Sequence, residues 1–397
     1  MADLFWPGDQ RAGTVMSDEA FFTALVDVEN AWLAVLVEQG VAPAPAAADV
    51  SALVERTDAT AIAEQAEKDG NPVSGLVALL RSRTDGDTAR WLHRGLTSQD
   101  VLDTALMLCL RDALGMLREQ LAAQVRALTA LVQAHRDEPL LARTLTQAAL
   151  PGTAGLKFAV WLGAVLDAAD TLEGVPAPAV QAGGAAGTLA ATTELTGSPD
   201  AALAMAEALA AKLALAPALP WHTSRARLTR AGDALVTCCD AWGHLANDVA
   251  VGARAGELTE GSSGGSSTMP HKNNPVLTVL LRRAALTAAP LAATLHAASA
   301  ASVDERSDGG WHAEWATLRT LVRTTIVAAA QATELLTGLR FDAARARANL
   351  AAAEGIDAEQ LTMAQLADHP PAATYTGATD QLVDAALRRA AAYLKGS

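Results

Sequence analysis

A helical pattern of more than 35 residues runs from about Ser98 to about Arg136, with no proline inside it. Ser98 or Asp100 can cap its first turn. A helix of this length exceeds ordinary globular helices and is typical of a long bundle or coiled coil. Four further apolar-periodic segments have comparable character, at residues 154–173, 223–256, 276–302 and 313–338. The pattern predicts a long bundle of five helices.

The composition favours the same all-α fold class. Hydrophobic residues make up 51% of the chain, yet only 4% are aromatic. Alanine and leucine, which are strong helix formers, supply most of the apolar surface. Glycine, proline and serine cluster between the helical segments, at residues 174–188, 196–199, 216–224 and 261–275. We therefore expect antiparallel helices whose alanine-rich faces pack closely, including against other copies of the chain.

Three domains are expected from these boundaries. Residues 1–97 form a small helical domain, in which a helix over residues 18–40 can be capped by Ser17 or Asp18. Residues 98–340 form the long-helix bundle that contains the loop 261–275, and residues 341–397 form a short helical C-terminal domain.

Charge and targeting signals exclude several classes of protein. The formal net charge of −14 argues against nucleic-acid binding, which needs a basic face. The first residues have neither a basic nor an apolar signal region, so a cytoplasmic protein is expected. Residues 284–303 carry no charged side chain, as a membrane span would, but they are rich in Ala and Ser rather than in larger apolar residues. This composition favours a buried bundle helix over a membrane span. The cysteines lack C-x-x-C spacing and are expected to be small buried residues in a reducing compartment: Cys109, Cys238 and Cys239.

Two weak motifs suggest cofactors but lack the context that each requires. Residues 183–187 (GGAAG) resemble a dinucleotide loop, yet no strand precedes them and no acidic residue follows at the right spacing. Residues 312–314 (HAE) match half of a zinc deaminase motif, and the P-C-x-x-C half is absent. We expect no cofactor and no metal.

The loop at residues 261–275 (GSSGGSSTMPHKNNP) is predicted to supply the catalytic side chains. A flexible linker would account for its first half only. A serine hydroxyl becomes a base when inward-facing donors and a nearby cation hold its alkoxide. Gly265 permits the inward turn, Ser266 can be the base, and Lys272 and Asn274 can stabilise the doubly charged aci-carboxylate that forms when a proton is removed next to a carboxylate.

Residues 265–275 (GSSTMPHKNNP) resemble the signature of the fumarase/aspartase superfamily. The resemblance implies that Ser266 is the catalytic base, that Lys272 and Asn274 assist it, and that Ser267 and Met269 contact the substrate. It also implies an all-α bundle that assembles as a homotetramer, with each active site built from three subunits.

Two further segments resemble conserved regions of this superfamily. In residues 93–104 (HRGLTSQDVLDT), the resemblance implies that His93, Thr97 and Ser98 bind substrate, the last two at a helix N-terminus that suits a carboxylate. In residues 143–147 (RTLTQ), it implies that Arg143, Thr144 and Gln147 contact substrate. From the residues alone, the first is equally a capped helix start and the second a helix break.

Other segments are similar to the 3-carboxy-cis,cis-muconate cycloisomerase branch. They are residues 220–225 (PWHTSR), with His222 and Arg225 as candidate ligands, residues 304–306 (DER) and residues 311–315 (WHAEW). The competing adenylosuccinate lyase branch holds its nucleotide phosphate with a serine and an arginine where this chain has Trp311 and Trp315. Apolar rings cannot replace a charge-assisted phosphate clamp.

The implied reaction cyclises 3-carboxy-cis,cis-muconate, a trianion, to 4-carboxymuconolactone, in the protocatechuate branch of aromatic catabolism. The candidate cations are Lys272, Arg225, Arg143 and His93, and a surface ion pair is an equally good interpretation of each arginine. Two alternatives stay open. One is a related lyase that expels an amine, nitrite or another group from a substituted succinate; the other is a non-catalytic helical scaffold.

The chain departs from the superfamily pattern at four places. Leu145 and Ala148 stand where relatives place histidine, which leaves the general acid unassigned; a carboxylate leaving group has little need of one. Asn273 replaces an arginine of the signature loop. Residues 375–383 (YTGATDQLV) resemble the end of the cycloisomerases, so a middle part of the C-terminal domain is expected to be missing.

Overall fold

The computed structural model describes residues 3–261, 264–265, 269 and 273–396. Over these residues the chain is an all-α protein, as predicted, with fourteen α-helices and only short strand pairs. The helices are α1 (Asp18–Glu38), α2 (Asp58–Asp69), α3 (Pro72–Ser82), α4 (Gly86–Trp91), α5 (Ser98–Ala134), α6 (Ala154–Glu173), α7 (Ala190–Thr196), α8 (Pro199–Leu213), α9 (Ala226–Ala255), α10 (Val276–Ala300), α11 (Gly309–Gly338), α12 (Ala343–Ala351), α13 (Ala358–Leu366) and α14 (Thr379–Gly396). The strands are β1 (Pro139–Thr144), β2 (Gln147–Thr153), β3 (Leu258–Thr259), β4 (Gly264–Gly265), β5 (Asn273–Asn274) and β6 (Arg340–Phe341).

The predicted helix positions are confirmed to within a few residues. Helix α6 has the predicted bounds, and α5, α9 and α10 begin or end within three residues of theirs. Local signals fix these ends: the Thr153 hydroxyl accepts from the backbone N–H of Leu156 at the start of α6, and the Ser17 hydroxyl accepts from that of Ala20 at the start of α1.

The chain divides into two compact units. Unit 1 comprises Met1–Gly115, Val175–Asp233 and Pro290–Thr324, and unit 2 comprises Met116–Gly174, Ala234–Ala289 and Thr325–Ser397. Helices α5, α9, α10 and α11 contribute residues to both units, because the unit boundaries fall inside them. The three-domain division expected from the sequence stays a prediction.

Each unit has its own apolar core. In unit 1, α1 buries Trp32 and Leu36 completely, and α3 does the same with Leu80. In unit 2, the buried ring of Phe158 on α6 packs edge to face against Phe341, with centroids 6.1 Å apart. These contacts hold the elements that carry the predicted site residues.

Strands β1 and β2 form a hairpin where the sequence alone suggested a helix break. Thr144 pairs with Gln147, so the loop has two residues, and both Leu145 (φ +46°) and Thr146 (φ +71°) adopt left-handed backbone. Positive φ at both central positions matches the twist of a hairpin. The sequence signal was missed because neither residue is the glycine or asparagine that usually marks such a turn.

Two helices, α1 and α10, are long and apolar enough to cross a membrane by length and composition, although core helices pass the same test. The apolar window of α1 is 61% buried within the chain, whereas that of α10 is only 33% buried. Residues 284–303 were predicted to lie in a buried bundle helix. Leu286, on α10, is 79% exposed in the single chain, so burial of this segment within a bundle of several chains stays a prediction.

Candidate functional site

The segment that precedes α5 is held in a defined shape by donors from two other helices of unit 1. Trp32 Nε1 on α1 donates to the Arg94 carbonyl at 2.7 Å, and Arg81 on α3 donates to the Leu92 carbonyl at 2.7 Å. Within the segment, His93 (φ +60°) and Gly95 (φ +94°) both have left-handed backbone. A non-glycine residue in this region costs free energy and persists only where its surroundings enforce it, which is common at functional sites.

The N-terminus of α5 offers donors for an anion. Thr97 and Ser98 are half-buried, and the backbone N–H groups of Ser98 and Gln99 have no partner among the residues that the structure describes. Asp100 Oδ2 accepts from the Thr97 backbone N–H at 2.9 Å, as the third residue of a capping box does. Two free N–H groups, two hydroxyls and the helix dipole together favour a carboxylate at this position.

Asp100 also fixes the glycine loop that resembled a dinucleotide motif. Its carboxylate accepts the backbone N–H groups of Gly183 and Gly184, each at 2.9 Å, and lies 2.8 Å from His222 Nε2. A Cβ at Gly183 would come within 2.7 Å of His222 Cε1, so only glycine fits there. The loop therefore binds a side-chain carboxylate of its own chain. This use of Asp100 was not foreseen from the sequence, which indicated it only as a helix cap.

Arg225 lies at the centre of a fully buried ion cluster. Its guanidinium donates to both oxygens of Asp103, at 2.7 and 3.0 Å, and to both oxygens of Glu314, with Nη2 at 2.6 Å from Oε2. The Trp221 ring lies 4.8 Å from its Cζ, and Trp311 Nε1 donates to Asp103 at 3.0 Å. Burial raises the pKa of Glu314, an effect that Arg225 only partly offsets.

These contacts bear on two predicted ligands, His222 and Arg225. The donors of Arg225 are directed at Asp103 and Glu314 rather than at a solvent-accessible site, and Arg225 is 1% exposed. His222 donates through Nε2 to Asp100 and is 4% exposed, and its Nδ1 is buried with no partner within the described ranges. In this geometry both side chains support the start of α5; contact with substrate stays a prediction for each.

His93 is better placed to meet a ligand. Its Nδ1 lies 2.6 Å from Oε1 of Glu29, a buried carboxylate on α1, and its side chain remains 17% exposed. Burial alone would lower the pKa of His93, but the charge and hydrogen bond of Glu29, with a contribution from Asp100, outweigh burial and raise it. His93 is thereby biased towards the imidazolium form, a cation that can bind a carboxylate.

In unit 2, the hairpin carries three further predicted ligands. Thr144 and Gln147 are exposed at its tip, next to Leu145, which is 95% exposed. Arg143 forms a bidentate pair with the buried carboxylate of Glu257, at 2.6 and 2.9 Å. A substrate role for Arg143 stays a prediction, and it would require sharing or opening this pair.

The signature loop is described only in part. Ser266, Ser267 and Lys272 lie outside the described residues, and Met269 is 41% exposed. Gly264 pairs with Asn274 and Gly265 with Asn273. The roles assigned to Ser266, Ser267, Met269, Lys272 and Asn274 stay predictions.

The start of α10, which follows the loop, is capped by a buried acid. Glu260 accepts the backbone N–H groups of Leu277 (3.1 Å) and Thr278 (2.7 Å). A carboxylate at a helix N-terminus satisfies these donors and complements the helix dipole. The residues on either side of the loop are thereby hydrogen-bonded to each other: Glu260 before it, and Leu277 and Thr278 after it.

No cluster of metal-binding side chains occurs among the described residues. The structure also assigns partners that sequence reasoning missed: Glu29, Asp103, Glu257, Glu260 and Glu314. Each is a buried acid on an element distant in sequence from its partner, apart from Glu260, so no local pattern could have indicated the pairing.

A family model described as Lyase matches residues 14–288. The chain belongs to the fumarase/aspartase superfamily. It is an enzyme of this superfamily, and the match to a family of enzymes argues against a non-catalytic scaffold.

The superfamily relatives include proteins with two different activities. The chain is 44% identical to a nitrosuccinate lyase of Streptomyces davaonensis over 86% of this chain and 75% of the relative. It is 39% identical to a 3-carboxy-cis,cis-muconate cycloisomerase of Bradyrhizobium diazoefficiens over 95% of this chain and 84% of the relative. It also resembles the crystal structure of the 3-carboxy-cis,cis-muconate lactonizing enzyme of Pseudomonas putida, with a TM-score of 0.85 and 30% identity over 98% of this chain and 97% of that one.

Proposed function

We propose that this enzyme converts 3-carboxy-cis,cis-muconate to 4-carboxymuconolactone. The observation that carries the choice of substrate is the likeness to the Pseudomonas putida enzyme along nearly the whole chain, together with cycloisomerase relatives at 38–39% identity. The half-buried start of α5, with its free N–H groups, supports a substrate that carries carboxylates.

The reaction is an intramolecular addition in which the substrate trianion takes up one proton and becomes a lactone dianion. One carboxylate oxygen forms a C–O bond to a carbon of the conjugated double bond. The Ser266 hydroxyl delivers a proton to the neighbouring carbon, which lies next to a carboxylate, and the double bond is consumed. Solvent then returns a proton to the Ser266 alkoxide. Lys272 and Asn274 stabilise the negative charge that accumulates on that carboxylate.

The local cations offset the unfavourable charge of the protein. The net charge of −14 repels a trianion at long range. His93 and the N-terminus of α5 then bind one carboxylate at short range, where charge-assisted hydrogen bonds are strong. Arg225 serves to hold α5 in place, since its donors are taken by Asp103 and Glu314.

Ultraviolet loss of the muconate diene tests the proposal. The wild-type enzyme is expected to consume the diene without releasing fumarate. Ser266→Ala is expected to lower kcat by about 10²- to 10⁴-fold, the usual contribution of a positioned acid or base. Diene loss that is absent in the wild type, or unchanged in Ser266→Ala, contradicts the proposal.

A second candidate is elimination of nitrite from nitrosuccinate, because the chain has a higher identity to the nitrosuccinate lyase than to the cycloisomerase of Bradyrhizobium diazoefficiens. Here the base removes a proton next to a carboxylate, the C–N bond breaks, and fumarate and nitrite are released. Carboxylate and nitrite are both anions of fairly strong acids, so the absence of histidine at Leu145 and Ala148 suits either reaction. Colorimetric nitrite and fumarate absorbance, measured beside the muconate assay, distinguish the two.

The enzyme is expected to act as a homotetramer with composite active sites. The exposed apolar side chains on α10 support this expectation, because Val279 and Leu286 are 57% and 79% exposed in the single chain. Sedimentation equilibrium is expected to give four times the chain mass of 40.8 kDa. A monomer that retains full activity would contradict the composite site.

A further inference from the structure

We propose that Glu29 is a positioning residue that holds the His93 ring by Nδ1 and so makes its Nε2–H a charged donor for a substrate carboxylate. The inference rests on the proposed function for the identity of the ligand. It goes beyond it by assigning a role to a side chain of α1, a helix that carries none of the predicted site residues.

The geometry fixes which nitrogen faces the acid. His93 Nδ1 lies 2.6 Å from Glu29 Oε1, and Glu29 is 0% exposed. A carboxylate that accepts from one ring nitrogen sets both the orientation of the imidazole and its tautomer. The other nitrogen, Nε2, has no hydrogen-bond partner among the described residues and belongs to a side chain that is 17% exposed.

The backbone at His93 indicates that this orientation is enforced. Its φ of +60° lies in the left-handed region, which is costly for a residue with a Cβ. The carbonyls on either side of it are anchored: that of Leu92 by Arg81 and that of Arg94 by Trp32. The strained conformation points the ring at Glu29 and places it four residues before Thr97.

The charges around the ring come from three helices. Glu29 on α1 and Asp100 on α5 favour the protonated imidazole, whereas Arg81 on α3 opposes it. Burial opposes it most, so the balance depends on Glu29. The pair also stabilises Glu29. Its second oxygen, Oε2, is buried without a partner within the described ranges, and a buried carboxylate with no cation nearby costs free energy.

The expected effect of Glu29→Gln follows from the fact that Glu29 raises the pKa of His93 against the opposing effect of burial. Without the carboxylate, the pKa of His93 falls, so a smaller fraction of the ring is protonated near neutral pH than in the wild type. KM for the muconate then rises on the order of tenfold, the cost of losing one charge-assisted hydrogen bond, while kcat changes little. Lowering the pH protonates the ring again, so the KM defect shrinks in acid.

The matched variants separate this role from simple damage to the fold. His93→Gln lacks the titrating ring, so its KM defect does not recover in acid, and adding Glu29→Gln to it has no further effect, since both act through one side chain. Glu38→Gln, on the same helix, removes only a surface pair with Lys212 and is expected to leave KM unchanged. Glu29→Asp keeps the charge, and it is expected to restore most of the affinity if Glu29→Gln is poorly folded.

A second measurement needs no substrate. Imidazole ¹³Cε1 signals of labelled protein are titrated, with the His93 signal assigned by its loss in His93→Gln. The His93 pKa is expected to fall in Glu29→Gln and to stay unchanged in Glu38→Gln. An unchanged His93 pKa, or a KM defect in Glu29→Gln that is the same at all pH values, overturns the inference. Absence of turnover in the wild type, with the expected shift in the titration, would overturn only the proposed function.

Discussion

Replacing Arg225 by methionine tests whether the buried ion cluster of unit 1 is as tightly balanced as its geometry indicates. The guanidinium donates to two carboxylates, Asp103 and Glu314, which are 0% and 1% exposed. Methionine fills much of the volume but leaves both acids without their cation. Removing one partner of a buried pair costs about 3–5 kcal/mol, because the remaining charge is left uncompensated.

A loss of this size is a large fraction of the stability of a typical domain, which is about 5–15 kcal/mol. Urea unfolding followed by tryptophan fluorescence is a direct assay, since Trp221 and Trp311 both contact the cluster. The matched control is Arg319→Met. Arg319 pairs with Asp18 at 2.7 Å, but the two side chains are 42% and 67% exposed, so its loss is expected to cost less than about 1 kcal/mol.

The loss of stability in Arg225→Met is expected to depend on pH. In the variant, Glu314 loses its cation, so nothing from Arg225 opposes the burial that already raises the folded-state pKa of Glu314 with Arg225 present. A raised folded pKa means that stability is retained below the unfolded pKa and lost as the pH rises through the folded pKa. The deficit of Arg225→Met is therefore expected to be larger at pH 8 than at pH 5.

Restoring charge balance provides the decisive comparison. Adding Asp103→Asn and Glu314→Gln to Arg225→Met removes both uncompensated charges and is expected to recover part of the loss. If Arg225→Met is no more destabilising than Arg319→Met, or if its deficit grows as the pH falls, Arg225 does not compensate the two buried acids in the way that the geometry indicates.

Two further predictions concern the backbone around the site. Gly95→Ala is expected to cost about 1–3 kcal/mol and to lower kcat/KM, because its Cβ would lie 2.7 Å from Thr192 Oγ1 at a φ of +94°. The control is Gly13→Ala, which has a φ of +52° and no atom within 4 Å of its Cβ, so it measures the backbone cost alone. Equal melting temperatures for the two variants would refute the steric part of the prediction. Glu260→Ala is expected to cost about 1–2 kcal/mol by leaving the N–H groups of Leu277 and Thr278 without their cap. Its effect on turnover is expected to exceed that of a similarly destabilising core variant such as Ile326→Val, which costs about 0.5–1.5 kcal/mol at a buried position. Equal effects on turnover would argue that Glu260 only caps α10.

Local residue patterns were sufficient to predict the helical architecture. Apolar periodicity and the Gly, Pro and Ser breaks placed α6 correctly and α5, α9 and α10 to within three residues. These signals are local, because a helix is stabilised by contacts within four residues and by one continuous apolar face. The signature at residues 265–275 was also recognisable from the sequence, because a simple linker would not need to combine a serine, a lysine and several amide side chains.

The partners of the buried charges became known from the folded chain alone. The sequence suggested Arg225 and His222 as substrate ligands, and the fold pairs them with Asp103, Glu314 and Asp100. Glu29 and His93 are 64 residues apart in the chain. Long-range pairs of this kind leave no local periodicity, because they depend on which surfaces the packing of the helices brings together. A buried charge needs a partner, and the packing of the helices determines which side chain supplies it.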